Sequence, residues 1–272
     1  MKYGVDMIFL GYIAAVLMGV VLGVIGGGGS ILTVPILVYL MGVSPNIATG
    51  YSLLIVGATA AFGAVRYYRE GLVDVKASIL FAVPSIVAVY MSRAYLMPAI
   101  PDTMSIQSLI IEKNLIIMVL FATLMLASAT MMLKKAYSKS VYETKVIQNK
   151  QPSIGLIIIE GATIGVITGI LGAGGGFLII PALVLFLGMP MKNAVGASLF
   201  IIALKSLLGF VGDLQTGIQL QMPLLPLMLA ATFLGMAVST RVSGKLDGAA
   251  LQKFFAFFTL AIAIFIMIKE LI

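Results

Sequence analysis

The sequence predicts an all-α fold: a polytopic transmembrane helix bundle of two inverted-topology repeats, about five segments in each, with broken half-helices at two glycine-rich motifs. Three observations lead there. The chain of 272 residues is 61% hydrophobic and only 10% charged, so long stretches carry no charge at all, a composition of bilayer spans rather than of a soluble core. The stretch Gly23-Val24-Ile25-Gly26-Gly27-Gly28-Gly29-Ser30-Ile31-Leu32-Thr33-Val34-Pro35 returns as Gly169-Ile170-Leu171-Gly172-Ala173-Gly174-Gly175-Gly176-Phe177-Leu178-Ile179-Ile180-Pro181. At a constant offset of 146, positions 19–71 match 165–217 without a gap, with 19 identities in 53.

In chain order the first half holds apolar segments A (about 5–26), B (30–42), C (45–65), D (75–97) and E (111–133). The second holds A′ (154–172), B′ (176–188), C′ (190–211), D′ (220–240) and E′ (250–271). A hydrocarbon core of about 30 Å needs about 20 helical residues, which A, C, D and E supply. B and B′ have 13 each and fall short at about 1.5 Å per residue; they are expected as half-helices entered from a break. Residues 1–133 then form a first transmembrane repeat, 134–153 a basic cytoplasmic linker and 154–272 a second transmembrane repeat. Lys2 followed by an apolar run imitates a signal peptide. Its glycine-rich end recurs at mid-chain, so A is expected to be a retained helix.

Loop charge orients the repeats. The linker carries Lys134, Lys135, Lys139, Lys145 and Lys150 and belongs on the cytoplasmic side, where lysine and arginine concentrate. Five crossings per half would invert the second half. The C–D loop, with Arg66, Arg69 and Lys76, then lies inside, and its mate, with Asp213 and no basic residue, lies outside. The D–E loop has only Arg93, whereas the D′–E′ loop has Arg241, Lys245 and Lys253. Equivalent loops trade their positive charge, as inversion requires, and both termini would lie outside. The net charge of +7 reads as cytoplasmic loops rather than as a nucleic-acid surface.

The chain has no cysteine, histidine or tryptophan. That removes disulfides, thiolate chemistry, the commonest general base and the commonest metal ligand. No catalytic residue, metal site or cofactor is expected.

What remains is backbone chemistry. Glycine costs about 1 kcal/mol per residue in a helix relative to alanine, so each run should stop a helix at membrane depth. Unpaired backbone there must face protein or a watery cavity, and two such breaks point to a transport site built from interrupted helices. Ser30 reads as an N-cap of B. Pro35 and Pro181 follow only about one turn later, near the end where a missing N–H does least harm. Each run should therefore present free N–H groups and the positive end of a helix dipole, an anion site made from backbone. Its expected members are Gly27, Gly28, Gly29 and Ser30 on one side and Gly174, Gly175, Gly176 and Phe177 on the other. The plainer alternative is close helix packing through small residues, which does not need four consecutive glycines.

The starts of C and C′ add Asn46, Thr49, Ser52, Asn193 and Ser198, donors for an oxyanion or, in the plainer alternative, caps and interhelical hydrogen bonds. Ionisable residues inside apolar segments are functional candidates by default. Lys205 in C′, whose mate is Thr59, is a charge for an anionic substrate. Glu160 in A′, whose mate is Ala14, is a coupling candidate that would carry a proton. The alternative for both is a mutual ion pair or snorkelling to an interface. Arg66-Tyr67-Tyr68-Arg69-Glu70 reads as an interfacial anchor.

Two copies of a G-x-x-G-x-G-G-[GS]-x-[IL]-x-x-P pattern, each leading into a short helix and a G-x-S segment, resemble the sulfite exporter TauE/SafE family of membrane transporters. The resemblance covers nearly the whole chain. It implies transport of sulfite, sulfoacetate or a related organosulfonate or two-carbon acid across the cytoplasmic membrane, with export as the expected direction. The departures at Ser30/Gly176 and Thr59/Lys205 leave open which half binds the anion. Rivals on the same scaffold are a channel-like anion facilitator, a membrane-embedded enzyme and a scaffold subunit. Expected partners are a small anion, the lipid bilayer, a coupling proton or ion and a second copy of the chain, with no nucleic acid.

Overall fold

A computed structural model describes residues 5–101, 103–106, 109–137, 154–171, 175–239 and 248–271. The first repeat begins with α1 (Val5–Ile25). A 3₁₀ segment, Gly26–Leu32, leads into the single turn α2 (Thr33–Pro35) and a π-turn, Ile36–Leu40. Next come α3 (Pro45–Arg69) and α4 (Val75–Met91), which runs through a second π-turn, Ser92–Leu96, into α5 (Met97–Ala99). Strands β1 (Thr103–Ile106) and β2 (Leu109–Glu112) form an antiparallel hairpin before α6 (Lys113–Tyr137). The second repeat has α7 (Ile154–Leu171), α8 (Gly176–Pro181) with its π-turn Ala182–Phe186, α9 (Met191–Gln215), α10 (Leu224–Ser239) and α11 (Gly248–Leu271).

Among the described residues seven helices are long and apolar enough to cross a membrane. The segments Gly29–Leu40 and Gly176–Phe186 are short, as the sequence predicts. The spans Pro45–Arg69 and Met191–Gln215 are each 72% buried against protein, the other five only 28–44%; α3 and α9 therefore form the centre. The outer helices turn residues such as Phe9, Ile159 and Leu234 outward, an apolar surface suited to lipid. α1 packs on α10, α4 on α7, α3 on α9 and α6 on α11. Exchanging the two repeats maps this set of pairs onto itself. α3 and α9 run antiparallel: Gly50 lies against Ile218, Gly57 against Leu207 and Gly63 against Leu199.

The sequence offset of 146 persists in the backbone. Gly42 and Gly188, at φ +68° and +65°, end the two half-helices, and the π-turns before them are repeat mates. α3 ends with Leu72 donating to the Tyr67 carbonyl and Gly71 to Tyr68; α9 ends with Ile218 donating to Asp213 and Gly217 to Leu214. This is a Schellman closure twice over, each around a glycine with positive φ.

Three local expectations need correction. Ser30 does not cap a half-helix. It sits inside the 3₁₀ segment, and its hydroxyl turns back to donate to the Gly27 carbonyl at 2.6 Å. α1 passes into that segment through Gly26 at φ +72°, so no extended residue exists at position 30 to serve as a cap. Segment E begins later than its apolar run, because Leu109–Glu112 pairs with Thr103–Ile106. D′ is shorter than expected, since residues 218–221 stay non-helical. Tyr51 pins that stretch, its hydroxyl donating to the Gln219 carbonyl and accepting from the Gln221 amide. Most of the linker, with Lys139, Lys145 and Lys150, lies outside the described residues, as do Arg241, Lys245 and the glycine-motif residues Gly172, Ala173 and Gly174.

Candidate functional site

The two breaks meet. The 3₁₀ segment packs on α8, and the crossing is so close that a β-carbon on Gly176 would overlap the Gly27 carbonyl group. A left-handed glycine stands in each break, Gly26 in the first and Gly175, the mate of Gly29, in the second. Gly175 precedes α8, and its carbonyl accepts from Leu178 and Ile179. Gly29 has no room for a side chain either, since a β-carbon there would strike the Leu22 backbone.

Side chains from α3, α6 and α9 hold the crossing. The Gly27 amide donates to Ser198 Oγ at 3.1 Å, and that hydroxyl donates on to the Val195 carbonyl at 2.8 Å. Ser52, the mate of Ser198, is fully buried with no partner for its hydroxyl. Ser128 donates to the Phe177 carbonyl at 2.7 Å, and the Phe177 ring stands edge-on to Phe121 at 5.4 Å. Tyr67 reaches the Gly23 carbonyl at 2.9 Å.

Lys205 belongs to the same centre. It is fully buried, and its Nζ donates to Thr168 Oγ1 at 2.8 Å. A β-carbon on Gly175 would come within 2.6 Å of that nitrogen. Neither ion pair among the described residues involves Lys205, so it does not pair with Glu160. The Glu160 Oε2 is itself buried without a hydrogen-bond partner. Gly27, Ser198, Gly175, Gly176, Phe177 and Lys205 therefore come together. Asn46 and Asn193 do not join them: each starts one helix of the antiparallel α3–α9 pair, so they stand at opposite ends of it. Gly174 lies outside the described residues.

Asn46 instead lines a cavity of about 530 Å³, together with Arg93, Lys113, Asp213, Thr216 and Gln219. Arg93 is 3% exposed and Asp213 4%. The Arg93 Nε donates to Asp213 Oδ1 at 2.6 Å, and Nη2 lies 2.5 Å from the same oxygen. Nη1 donates to Thr49 Oγ1 at 3.0 Å and to the Gly169 carbonyl at 3.3 Å. Thr49 donates in turn to the Asn46 carbonyl at 2.7 Å. Gly169 is in the last turn of α7, the helix that leads to the second glycine run. The Lys113 ammonium donates to the carbonyls of Met97 and Ile100 at 2.7 and 3.1 Å.

The loop-charge argument uses Arg93 and Asp213 only as markers of orientation. In fact they form a buried pair that joins the two repeats. The available signal was Arg93 itself, a guanidinium inside the limits of an apolar segment, where a charge is costly and functional by default. The π-turn Ser92–Leu96 carries it, and such turns frequently mark functional sites.

A family model described as sulfite exporter TauE/SafE matches residues 11–266. A probable membrane transporter protein of Xylella fastidiosa strain Temecula1 is 28% identical over 257 residues, 92% of this chain and 91% of that protein. The probable membrane transporter protein YunE of Bacillus subtilis is 27% identical over 261 residues, 87% and 91% of the two chains. One from Xylella fastidiosa strain 9a5c is 34% identical over 187 residues, 67% and 65%. No solved structure matches the chain.

Proposed function

The chain belongs to the sulfite exporter TauE/SafE family and is a multi-pass membrane transporter; from that premise we propose that it is a secondary transporter of a small anion, sulfite, sulfoacetate or a related organosulfonate or two-carbon acid. It works as an exporter in the cytoplasmic membrane, by alternating access around a site at the paired breaks. The observation that carries this reading is the meeting of Gly27 and Gly176, which puts two interrupted helices at one point beside a buried lysine. Helix breaks are affordable in lipid only where protein or a cavity covers them, and transporters use such breaks to hold ions with bare backbone.

In this reading the amides of Gly27 to Ser30 and Gly174 to Phe177 hold the oxyanion, the Gly27 amide exchanging Ser198 Oγ for the anion and the Ser198 hydroxyl turning from the Val195 carbonyl; Ser52 adds a second hydroxyl contact, and Lys205 supplies charge. Asn46 and Asn193, one at each end of the α3–α9 pair, serve the two mouths of the path, and Glu160 carries the coupling proton. The repeats are inverted in the membrane and rock against each other. The antiparallel packing of α3 on α9 supports inversion, since equivalent helices of parallel repeats would share one direction.

Reconstitution into proteoliposomes tests the proposal. Labelled sulfite or sulfoacetate should enter or leave with saturable kinetics and show counterflow. Absence of saturable flux for every small anion tried would sink it.

A further inference from the structure

The cavity beside Arg93 lies off the paired breaks, and the transport reading above assigns its arginine nothing. We propose that this cavity is a second anion site, in which Arg93 binds a small oxyanion in competition with the carboxylate of Asp213. The inference rests on the reading of the chain as an anion transporter and adds a site to it.

The pair is built unlike a structural salt bridge. Buried arginine–carboxylate pairs are frequently bidentate, with one N–H to each oxygen. Here Nε and Nη2 of Arg93 both turn to Asp213 Oδ1, while Oδ2 is buried and has no partner. A single carboxylate oxygen thus sits in the fork of the guanidinium, the seat that an oxygen of sulfite or of a sulfonate takes.

The rest of the guanidinium is anchored without Asp213. Nη1 is held by Thr49 on α3 and by the Gly169 carbonyl on α7, so Arg93 keeps its place when the carboxylate leaves. Gly50 makes the approach possible: a β-carbon there would lie 3.0 Å from Nη2 and 3.1 Å from Oδ2. The cavity of about 530 Å³ adjoins the pair and has room for a small oxyanion with water. A displaced Asp213 carboxylate meets that water, and the charge of Lys113 lines the same cavity. Through Gly169 the arginine also touches α7, the helix that precedes the second glycine run.

Two measurements on the full-length chain test this: titration of sulfite and of sulfoacetate against the detergent-purified protein, and flux of both in proteoliposomes. Asp213→Asn removes the competitor and should tighten binding roughly tenfold. The double variant Arg93→Gln/Asp213→Asn keeps the packing without either charge and should weaken binding roughly ten- to a hundredfold, the usual range for a charge-assisted contact. Arg93→Lys, which keeps the charge but loses the fork, should fall between. Wild-type affinity in the double variant, unchanged affinity in Asp213→Asn, or no binding of either anion by the wild type overturns the site. A double variant with wild-type saturable flux removes this site and leaves the transport reading standing. A wild-type protein that moves no small anion removes the transport reading itself.

Discussion

Gly27 and Gly176 meet backbone to backbone: a β-carbon on either would collide with the main chain of the other. The two glycines thus let two chain segments touch, Gly27 just past the end of α1 and Gly176 at the start of α8. Gly176→Ala should cost about 1–3 kcal/mol, the range for overpacking a filled interior, and should also abolish saturable anion flux. Gly155→Ala is the control. Nothing lies within 4 Å of its added carbon, and alanine is the better helix former by about 1 kcal/mol, so its melting temperature should hold or rise. Equal melting temperatures for the two variants would mean that the crossing is loose.

Ser52 and Ser198 are repeat mates with different duties. Ser198 accepts the Gly27 amide, so Ser198→Ala orphans a buried donor and should cost about 1–3 kcal/mol. Ser52 has no hydrogen-bond partner for its hydroxyl. Ser52→Ala should leave stability unchanged or slightly raised while lowering anion flux. Paired thermal melts and flux assays separate the two, and a large stability loss in Ser52→Ala would show that its hydroxyl is structural.

The difference between those serines marks how far the sequence reaches. The constant offset of 146 anticipates where the half-helices stop, at Gly42 and Gly188, whereas α3 and α9 run past the expected ends of C and C′ to close at the matched glycines Gly71 and Gly217. Glycine at a left-handed position leaves its mark on the sequence itself. The offset does not anticipate what the repeats do to each other. Arg93 and Asp213 are 120 residues apart, and Arg93 lies past position 71, where the constant offset ends, so symmetry gives no hint of their contact. Ser30 misleads because serine is an equally good N-cap and 3₁₀-turn residue. Which one it becomes depends on Gly26 adopting positive φ four residues earlier.

The Arg93–Asp213 pair should behave as a coupled unit in stability as well as in binding. Removing one partner of a buried ion pair typically costs about 3–5 kcal/mol, because the other charge is left uncompensated. Arg93→Gln and Asp213→Asn should each approach that cost, and the double variant should lose far less than their sum. Denaturant or thermal unfolding of all four proteins in one detergent measures the coupling. Additive losses would mean that the carboxylate and guanidinium do not depend on each other.

Lys205 gives the sharpest opposition between stability and function. Its ammonium is fully buried, with the Thr168 hydroxyl as its hydrogen-bond partner and no carboxylate in ion-pair reach among the described residues. A buried charge without a counter-charge is costly, and replacing buried ionic groups by apolar ones of similar volume is often stabilising by about 1–4 kcal/mol. Lys205→Met keeps the length of the side chain and discards the charge. It should therefore raise the melting temperature while reducing anion flux severely, and added sulfite should stabilise the wild type more than the variant, since a ligand stabilises the state it binds. A residue kept only for packing would show the reverse: a lower melting temperature with flux preserved. In the proposed function the arriving anion is the negative charge that meets Lys205 beside Gly175, and opposite shifts of melting temperature and flux in Lys205→Met are its signature.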